Sequence, residues 1–437
     1  MQGESKHYNA SRLKFKIKSG ALQFTVFVAV LIALLLAGLI LYAYTFIYMK
    51  EQSKGAIENI QFADIGMHSL LEQKVLNTDT IQLDFIKKEN QTIKTNLSQW
   101  GIFEKGISIA QFRKKKFVKS AIIGSLINTE ESPTLFLQET YNALTVVGNT
   151  AIRGIAYLPQ QGVNSGYIAG NSYYGSQLIY GTIKKSSKEL PQVKKSVLEA
   201  IDYDLKSFKP VTKEDYISLD KQRIVNSFQT KTKAVYSENP IVLENKSITG
   251  NIIIKSETSI KIKKSALLKD VILIAPIIEI EDETSGTFQA IASKKITIGK
   301  ACQLSYPSAL ILYQDNKNNP DEVSINPMDN KIFIDTKSIV KGSICYFQTK
   351  TTADFQTQIV LEKEAVIKGQ VYCNGNFEIK GTVSGSVITK QFLANQAGSI
   401  FMNHIYNATI ENLNIPSIYG GIPLEEEQPK TILKWLY

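Results

Sequence analysis

The chain has 437 residues, a formal net charge of +10 and a hydrophobic fraction of 43%. That length predicts two or three domains. Three cysteines do not make a disulfide framework, and three histidines offer little for metal binding or histidine-based catalysis. Part of the positive charge lies in the first 20 residues and the rest is spread along the chain. The charge therefore indicates no nucleic acid or other particular anionic partner.

Residues 21–49, ALQFTVFVAVLIALLLAGLILYAYTFIYM, contain no charged side chain. About 20 apolar residues are enough to cross the hydrocarbon core of a bilayer. Backbone groups in lipid must bond within their own segment, so the run is predicted to be a single transmembrane helix. Tyr42, Tyr44 and Tyr48 lie near its C-terminal end, where they fit an aromatic belt at the membrane boundary.

The residues before this segment set its orientation. They are basic and are opposed only by Glu4: Lys6, Arg12, Lys14, Lys16 and Lys18. Basic flanks stay on the cytoplasmic side, so residues 1–20 are expected to be a cytoplasmic leader and the chain from residue 50 to lie outside. We expect a single-pass protein of a bacterial inner membrane, with most of the chain in the periplasm or at the cell surface. The apolar run is too long for a cleaved secretory signal, which predicts an anchor.

The N-terminal side of the segment also shows a family pattern. RLKFKIKSG followed by ALQFTVFVAVLIALLLAG resembles the prepilin or pseudopilin leader and helix, over residues 12–50. The resemblance implies that Gly20 is the last leader residue and that Ala21 begins the mature chain. Thr25 stands where that family usually has Glu. Without cleavage, the segment is an ordinary signal anchor.

Residues 50–75 carry a ragged apolar stripe near the helical period and predict a juxtamembrane helix. Pilins have this layout: one long helix, half in the membrane, with a β-sheet packed on its outer half. A plain stalk or coiled coil is the alternative. Residues 76–130 alternate apolar and polar side chains, which predicts a small antiparallel β region.

Residues 140–185 are rich in Gly and Tyr and predict short β coils. Five tyrosines are the candidate binding residues of the chain: Tyr157, Tyr167, Tyr173, Tyr174 and Tyr180. Two interpretations are open. The rings pack over a face of the coils, or they form a strip that binds a glycan or a partner.

Residues 186–230 interrupt the β pattern with an amphipathic helix, whose apolar positions are Leu190, Val193, Val197, Ile201 and Leu205. Ser186 or Ser187 with Glu189 is its candidate N-terminal signal. The helix is expected to lie against the β core or to cap an open end of the coils. We also predict that residues 142–183 and 240–410 share one core.

Residues 240–412 contain repeated I-x-I pairs. Ile260/Ile262, Ile278/Ile280 and Ile296/Ile298 follow each other at steps of eighteen residues, and a similar step joins Ile359/Leu361 to Phe377/Ile379. V-K-G-S-I (340–344), I-K-G-Q-V (367–371) and I-K-G-T-V (379–383) are near copies. A period near eighteen with short strands and Gly predicts a parallel β-helix.

Residues 367–394, IKGQVYCNGNFEIKGTVSGSVITKQFLA, resemble the repeat of bactofilins, the polymer-forming cytoskeletal proteins. That family builds a right-handed β-helix and polymerises end to end. Residues 306–330 depart from it as an insertion. The expected fold is therefore mainly β with an N-terminal transmembrane α-helix. A small antiparallel β region is followed by a right-handed parallel β-helix (solenoid) with a helical insertion.

Residues 413–437 predict a tail whose final apolar residues pack back onto the β-helix or bind a partner. No H-E-x-x-H, C-x-x-C, G-x-G-x-x-G or G-x-S-x-G motif is present, and no cofactor or metal is expected. Asp270, Glu279 and Glu281 are the closest cluster of acids. Cys345 and Cys373 are expected to be buried thiols or a pair on neighbouring coils.

Three functions remain. The first is a non-enzymatic structural component of an envelope assembly, such as a pseudopilin-like filament or a secretion apparatus. Self-association or binding to other envelope proteins would then be expected. The alternative is a surface adhesin that binds glycans, and a β-helix polysaccharide lyase or hydrolase is less favoured.

Overall fold

The computed structural model describes residues 19–77, 79–83, 91–127, 132–210, 212, 215–315, 330–349, 355–412, 416, 419–426 and 428–436. Nearly all of the expected leader, residues 1–20, lies outside them, as does much of the insertion at 306–330. The chain consists of two compact units, Met1–Gln61 and Phe62–Tyr437. The fold is mainly β with one long apolar helix near the N-terminus, as the sequence predicts.

Helix α1 (Ser19–Glu72) contains the whole predicted membrane segment. No proline interrupts it, and it continues without a break through most of residues 50–75. It ends three residues before the predicted boundary. An antiparallel sheet follows, made of β1 (Ile81–Gln82), β2 (Gln91–Trp100), β3 (Phe103–Phe112) and β4 (Lys115–Leu126).

The next region consists of eight strands of two to four residues, in agreement with short β coils at 140–185. They are β5 (Leu135–Leu137), β6 (Leu144–Val147), β7 (Ala151–Arg153), β8 (Ala156–Leu158), β9 (Val163–Ser165), β10 (Tyr167–Ile168), β11 (Asn171–Ser172) and β12 (Ile183–Lys185). Except for the β10–β11 hairpin, these strands pair in parallel.

Helix α2 (Lys195–Lys206) begins later than predicted. The expected start signal at Ser186, Ser187 and Glu189 is wrong, because Ser187 instead donates a hydrogen bond to the carbonyl of Glu189 at 2.5 Å. Pro191 follows shortly afterwards. Lys194 occupies the N-cap without a side-chain cap.

Between α2 and residue 412, the described residues form seventeen further strands. They are β13 (Arg223–Asn226), β14 (Lys233–Ser237), β15 (Ile241–Leu243), β16 (Ser247–Gly250), β17 (Ile252–Ser256), β18 (Ser259–Ile262), β19 (Leu267–Ile280), β20 (Ser285–Ile298), β21 (Gln303–Gln314), β22 (Lys331–Ile334), β23 (Ile339–Gln348), β24 (Ile359–Leu361), β25 (Val366–Ile379), β26 (Thr382–Gln396), β27 (Ser399–Met402), β28 (His404–Tyr406) and β29 (Thr409–Glu411). Nearly all of their pairings are parallel, and the hydrogen-bonded system closes on itself.

The repeated I-x-I pairs stack in register. The first residues of the pairs form a buried column: Ile241, Ile260, Ile278, Ile296, Ile332, Ile359, Phe377 and Phe392. The column passes the insertion, because Ile296 pairs directly with Ile332. Each fully buried side chain of this kind contributes roughly 1.5–3 kcal/mol relative to exposure.

Only two of the three K-G phrases, those at 340–344 and 367–371, pair with each other in register. Gly342 pairs with Gly369, and Gly369 pairs with Gly385. The third phrase, at 379–383, is therefore a coincidence of sequence, since Gly381 lies outside this column. The three paired glycines have φ between +141° and +152°. A Cβ on Gly369 would lie 2.0 Å from the carbonyl oxygen of Gly342, so the column requires glycine.

The order of strands in space differs from their order in sequence. β26 pairs with β5 and β29 pairs with β7, so the region at 135–185 follows the last strands of the later region. Side chains of both regions belong to one buried cluster, as predicted. The connection, however, does not run across the inserted helix.

Helix α2 does not cover an end of this system. Val197 and Ile201 instead pack into a second apolar cluster with Ile272 and Ile274 of β19. Ile217 and Tyr173 are partly buried and pack against the main core.

The C-terminal tail is part of the antiparallel sheet. β30 (Gly420–Gly421) and β31 (Lys430–Leu436) both pair with β4. Leu433 and Leu436 are buried there. Their side chains belong to the second apolar cluster, which includes Ile272 and Ile274 of β19, so the expected packing onto the parallel strands accompanies the pairing with β4. Tyr437 lies outside the described residues.

Candidate functional site

The N-terminal part of α1 is built for an apolar environment. None of its most apolar 18-residue window is buried within the protein, and the helix is long and apolar enough to span a membrane. Leu34, Ile40 and Tyr42 each expose more than two thirds of their surface. Exposed apolar surface of this extent requires lipid or protein around it.

Gly20 and Ala21, the candidate leader boundary, both lie in the first turn of α1 and are exposed. Thr25, at the position where the prepilin family usually has Glu, donates its hydroxyl to the Leu22 carbonyl at 2.8 Å. That bond satisfies the hydroxyl within the helix, as is required in lipid.

The C-terminal turns of α1 pack on one face of the antiparallel sheet. Met67 and Leu70 are fully buried against Leu97, Ala121 and Ile123. The arrangement is one long helix whose C-terminal turns carry a β-sheet.

Two glycines allow this close approach. A Cβ on Gly66 would lie 2.2 Å from the Ser108 hydroxyl, and a Cβ on Gly106 would lie 3.2 Å from Leu70. Asp64 and Lys119 add an ion pair between the helix and β4.

The other face of the sheet rests on the parallel strands. Trp100 and Phe103 are buried there in the second apolar cluster, and Trp100 meets Phe228 edge to face at 5.3 Å. Trp100 therefore lies at the junction between the two β regions.

Two glutamines on the parallel strands hold neighbouring backbone at this junction. Gln289 accepts a hydrogen bond from the N–H of Ile102 at 2.9 Å and donates to the carbonyl of Trp100 at 2.8 Å. Gln370 accepts one from the N–H of Ile422 at 2.7 Å. Buried backbone groups need such partners, so these contacts fix the sheet in place.

Lys105 is the unusual charge of the junction. Its ammonium lies 5.1 Å from the centroid of the Trp100 ring and 3.4 Å from the Thr232 hydroxyl. Burial lowers the pKa of Lys105 to about 8, because desolvation disfavours the charged amine.

The five candidate tyrosines do not form one strip. Tyr157 stacks on Phe136 at 5.7 Å. Tyr173 packs against the main core, and Tyr180 lies under the guanidinium of Arg153. Tyr167 and Tyr174 are exposed, at 69% and 58%.

Asn171 joins Tyr174 to Tyr406, a residue that the sequence analysis did not single out. Its side-chain oxygen accepts from the Tyr174 hydroxyl at 3.1 Å and its amide donates to Tyr406 at 2.9 Å.

The acidic cluster suggested by the sequence is engaged in ion pairs. Asp270 is buried and binds Lys434 at 2.5 Å, Glu281 binds Lys263 at 2.9 Å, and Glu279 faces Lys261 at 3.8 Å. The backbone N–H of Lys264, and then the Lys263 ammonium, hold the pKa of Glu281 below its usual value. A general acid needs a raised pKa, so the lowered pKa of Glu281 does not suit it to that role.

The three cysteines are free and buried. Cys345 pairs with Tyr372 in register, and Tyr346 pairs with Cys373. Because side chains alternate along a strand, the two cysteines point to opposite faces and do not form a disulfide. Desolvation raises the pKa of both thiols, to about 12 for Cys373. Within the described residues, no group of three His, Cys, Asp or Glu side chains could hold a metal ion.

A cavity of about 720 Å³ lies where the end of β4, the residues before α2 and the C-terminal segment meet. Its apolar walls include Phe136, Tyr157 and Leu424. The Tyr372 hydroxyl donates to the Pro191 carbonyl at 3.1 Å and holds one side of it. No sequence pattern indicates this cavity, because its walls come from segments more than 200 residues apart.

The carboxylates of Glu189, Glu425 and Glu426 line the same cavity and are exposed. Lys188 also lines it, with its ammonium over the Tyr141 ring at 5.4 Å.

Comparison of the chain with protein-family models, curated proteins and solved structures finds no match.

Proposed function

We propose that the protein is a non-enzymatic, single-pass membrane component of a bacterial envelope assembly, similar to a pseudopilin. The packing of the last turns of α1 on an antiparallel sheet carries this proposal, because it adds a tertiary feature to the prepilin-like sequence at residues 12–50. The basic residues before the helix support an orientation with the N-terminus in the cytoplasm and residues 50–437 in the periplasm or at the cell surface.

We further infer that the parallel strands form a right-handed parallel β-helix, inserted between β4 and β31 of the pilin-like sheet. Support comes from the in-register columns and from strand pairings separated by about one coil of sequence. The bactofilin resemblance favours the same architecture.

The N-terminal residue of the protein extracted from membranes tests the proposal. We expect Ala21, the result of cleavage after Gly20. Gly20→Leu should block cleavage, whereas Gly38→Leu is the matched control, because both glycines lie in α1 and a Cβ on either would meet nothing within 4 Å. Retention of Met1 or Gln2 in the wild-type chain would contradict the pilin-like proposal and indicate an ordinary signal anchor.

A second candidate function is glycan binding at the exposed rings of Tyr167 and Tyr174. It rests on their exposure and on the bond of Tyr174 to Asn171. Detergent-solubilised protein should then sediment with envelope polysaccharide, and the Tyr167→Ala, Tyr174→Ala variant should not. Equal sedimentation of both proteins would rule out this surface. A lyase or hydrolase is the least favoured function, because the acids nearest to a cluster are ion-paired.

A further inference from the structure

The turn between β3 and β4 is strongly basic. Residues 113–116 read RKKK, and residues 105–129 contain six basic side chains and no acidic one. Arg113 has φ +52°, and its carbonyl accepts a hydrogen bond from the Gln111 side chain at 2.8 Å, so the turn has a defined conformation. A run of positive charge without acids beside it in the chain attracts anions.

Two of the four cations of the turn are engaged within the chain. The guanidinium of Arg113 lies 5.2 Å from the centroid of the Phe112 ring, and Lys115 also interacts with other residues of the protein. Lys114 and Lys116 are exposed, and among the described residues neither forms an ion pair. An anion outside the protein would therefore meet these two ammonium groups.

The contacts between β4 and α1 show at which end of the sheet this turn lies. Lys119 forms an ion pair with Asp64, and Ile123 belongs to the same apolar cluster as Leu70. Positions later in β4 therefore meet positions later in α1. Lys115 precedes Lys119 by four residues, or about 13 Å of strand. The turn thus lies at the end of the sheet where α1 enters.

The chain reaches this unit directly from the membrane segment. The apolar run ends at Met49, and the unit that contains the sheet begins at Phe62. Residues 50–61 belong to α1. Twelve helical residues span about 18 Å, so this link limits how far the point of entry can lie from the lipid headgroups.

We propose that Lys114 and Lys116 bind the anionic phospholipid headgroups of the membrane that holds α1. Each lysine near an anionic surface strengthens binding by about fivefold. The contact would fix the orientation of the sheet over the bilayer, which a single anchoring helix does not do alone. The inference rests on the proposed function for the membrane anchor only, because it requires neither cleavage after Gly20 nor a particular assembly.

A fluorescent label near the turn of the full-length, reconstituted chain tests the contact. Thr92 pairs in register with Gln111, two residues before the turn, and the natural cysteines are buried. Labelled Thr92→Cys protein is placed in phosphatidylcholine vesicles with or without about 30% phosphatidylglycerol. Both kinds of vesicle contain a lipid with a nitroxide quencher on its headgroup.

We expect the anionic vesicles to quench this label at least about twofold more strongly than the neutral ones. Raising the salt concentration from about 0.1 M to about 1 M should remove the difference, because the Debye length falls from about 10 Å to about 3 Å. Equal quenching in both kinds of vesicle at low salt would overturn the proposal.

A label near the C-terminal end of α1 is the positional control. Lys195 is exposed and follows Lys194, which lines a cavity together with Glu72 and Gln73. Lys195→Cys protein should show the same weak quenching in both kinds of vesicle. An equal gain at Thr92 and Lys195 would indicate that the anionic lipid acts on the whole unit, which also contradicts a contact made by the turn.

Charge variants test the two lysines themselves. Lys114→Glu with Lys116→Glu should lower the quenching of the Thr92 label to the level of neutral vesicles, whereas Lys114→Arg with Lys116→Arg should retain it. All of these side chains are exposed, so folding should be unaffected.

Lys188→Glu with Lys195→Glu is the matched control for net charge. These exposed lysines lie near two cavities that share Glu425 and Gln428, one of them at the C-terminal end of α1. This variant should retain the quenching. An equal loss in the control, or unchanged quenching after reversal at Lys114 and Lys116, would contradict the assignment.

Alkaline extraction of the vesicles separates this inference from the proposed function. Protein that resists extraction but shows no effect of anionic lipid would overturn the inference alone. Protein that is released by alkali has no membrane anchor, and that result would overturn both proposals.

Discussion

The parallel strands and the antiparallel sheet are completed over different distances along the chain. Ile260 pairs with Ile278, eighteen residues away. By contrast, Lys430 at the start of β31 donates to Glu104 of β3 at 2.5 Å, across 326 residues. In a repeat, the partner of each strand lies one coil away, so local sequence predicts the pairing. In a sheet interrupted by a long insertion, the last strand lies hundreds of residues from its partner, and local sequence does not predict the pairing.

The antiparallel sheet is also covered on both of its faces. Residues 120–125 of β4 are all buried, because α1 covers one face of the sheet and the parallel strands cover the other. Ala121 and Ile123 face the helix, and Ile122 faces the parallel strands. A strand covered on both faces loses the alternation that a half-buried strand shows.

The largest effect is expected where the parallel strands approach each other most closely. Gly369→Ala should destabilise the protein by about 3–5 kcal/mol, from positive φ and a clash with the Gly342 backbone. Gly398→Ala is the control, because Gly398 also has positive φ, +78°, but a Cβ there meets nothing within 4 Å. Urea unfolding in detergent measures both. Equal losses would show that φ alone, rather than the stacked backbone, requires glycine.

A smaller effect should be confined to the antiparallel sheet. Leu70→Ala removes a fully buried side chain and should cost about 2–4 kcal/mol. Hydrogen exchange should rise in β2–β4 and remain low in β19–β26. Ile65→Ala, on the same helix but 42% exposed, should cost less than about 0.5 kcal/mol. Similar exchange in both regions would mean that they unfold as one unit.

The smallest effect tests the junction through Lys105. Its pKa is about 8 in the folded protein and near 10.5 when unfolded. Between these values the unfolded chain retains a proton that the folded chain has released, so wild-type stability should rise with pH across this window.

Lys105→Met should remove that dependence. The variant should exceed the wild type by about 3 kcal/mol at most below pH 8, and the difference should shrink toward pH 10.5. Lys105→Arg, which stays charged, should show no such gain. A constant difference between wild type and Lys105→Met at all pH values would contradict burial of the amine as the cause.

The periodic part of the chain was predictable in detail. The I-x-I pairs at 260, 278, 296, 359 and 377 occupy one column, because parallel pairing places residues one coil apart side by side. The K-G phrase at 379–383 was misleading as evidence for the repeat. Four of its residues are identical to those at 367–371, but strand register depends on the number of residues in each coil. The start of α2 was missed because Pro191 and the bond from Ser187 to Glu189 compete with helix formation.

The sequence by itself determined the long apolar helix, the mainly β fold and the repeat of the parallel strands, since each depends on composition or on a period along the chain. Tertiary structure decided the order in which β26 meets β5, the addition of β31 to β4, and the cavity at Glu189 and Glu425. These features join segments hundreds of residues apart. Local propensity does not specify such partners, which are selected by the burial and hydrogen bonding of the whole fold.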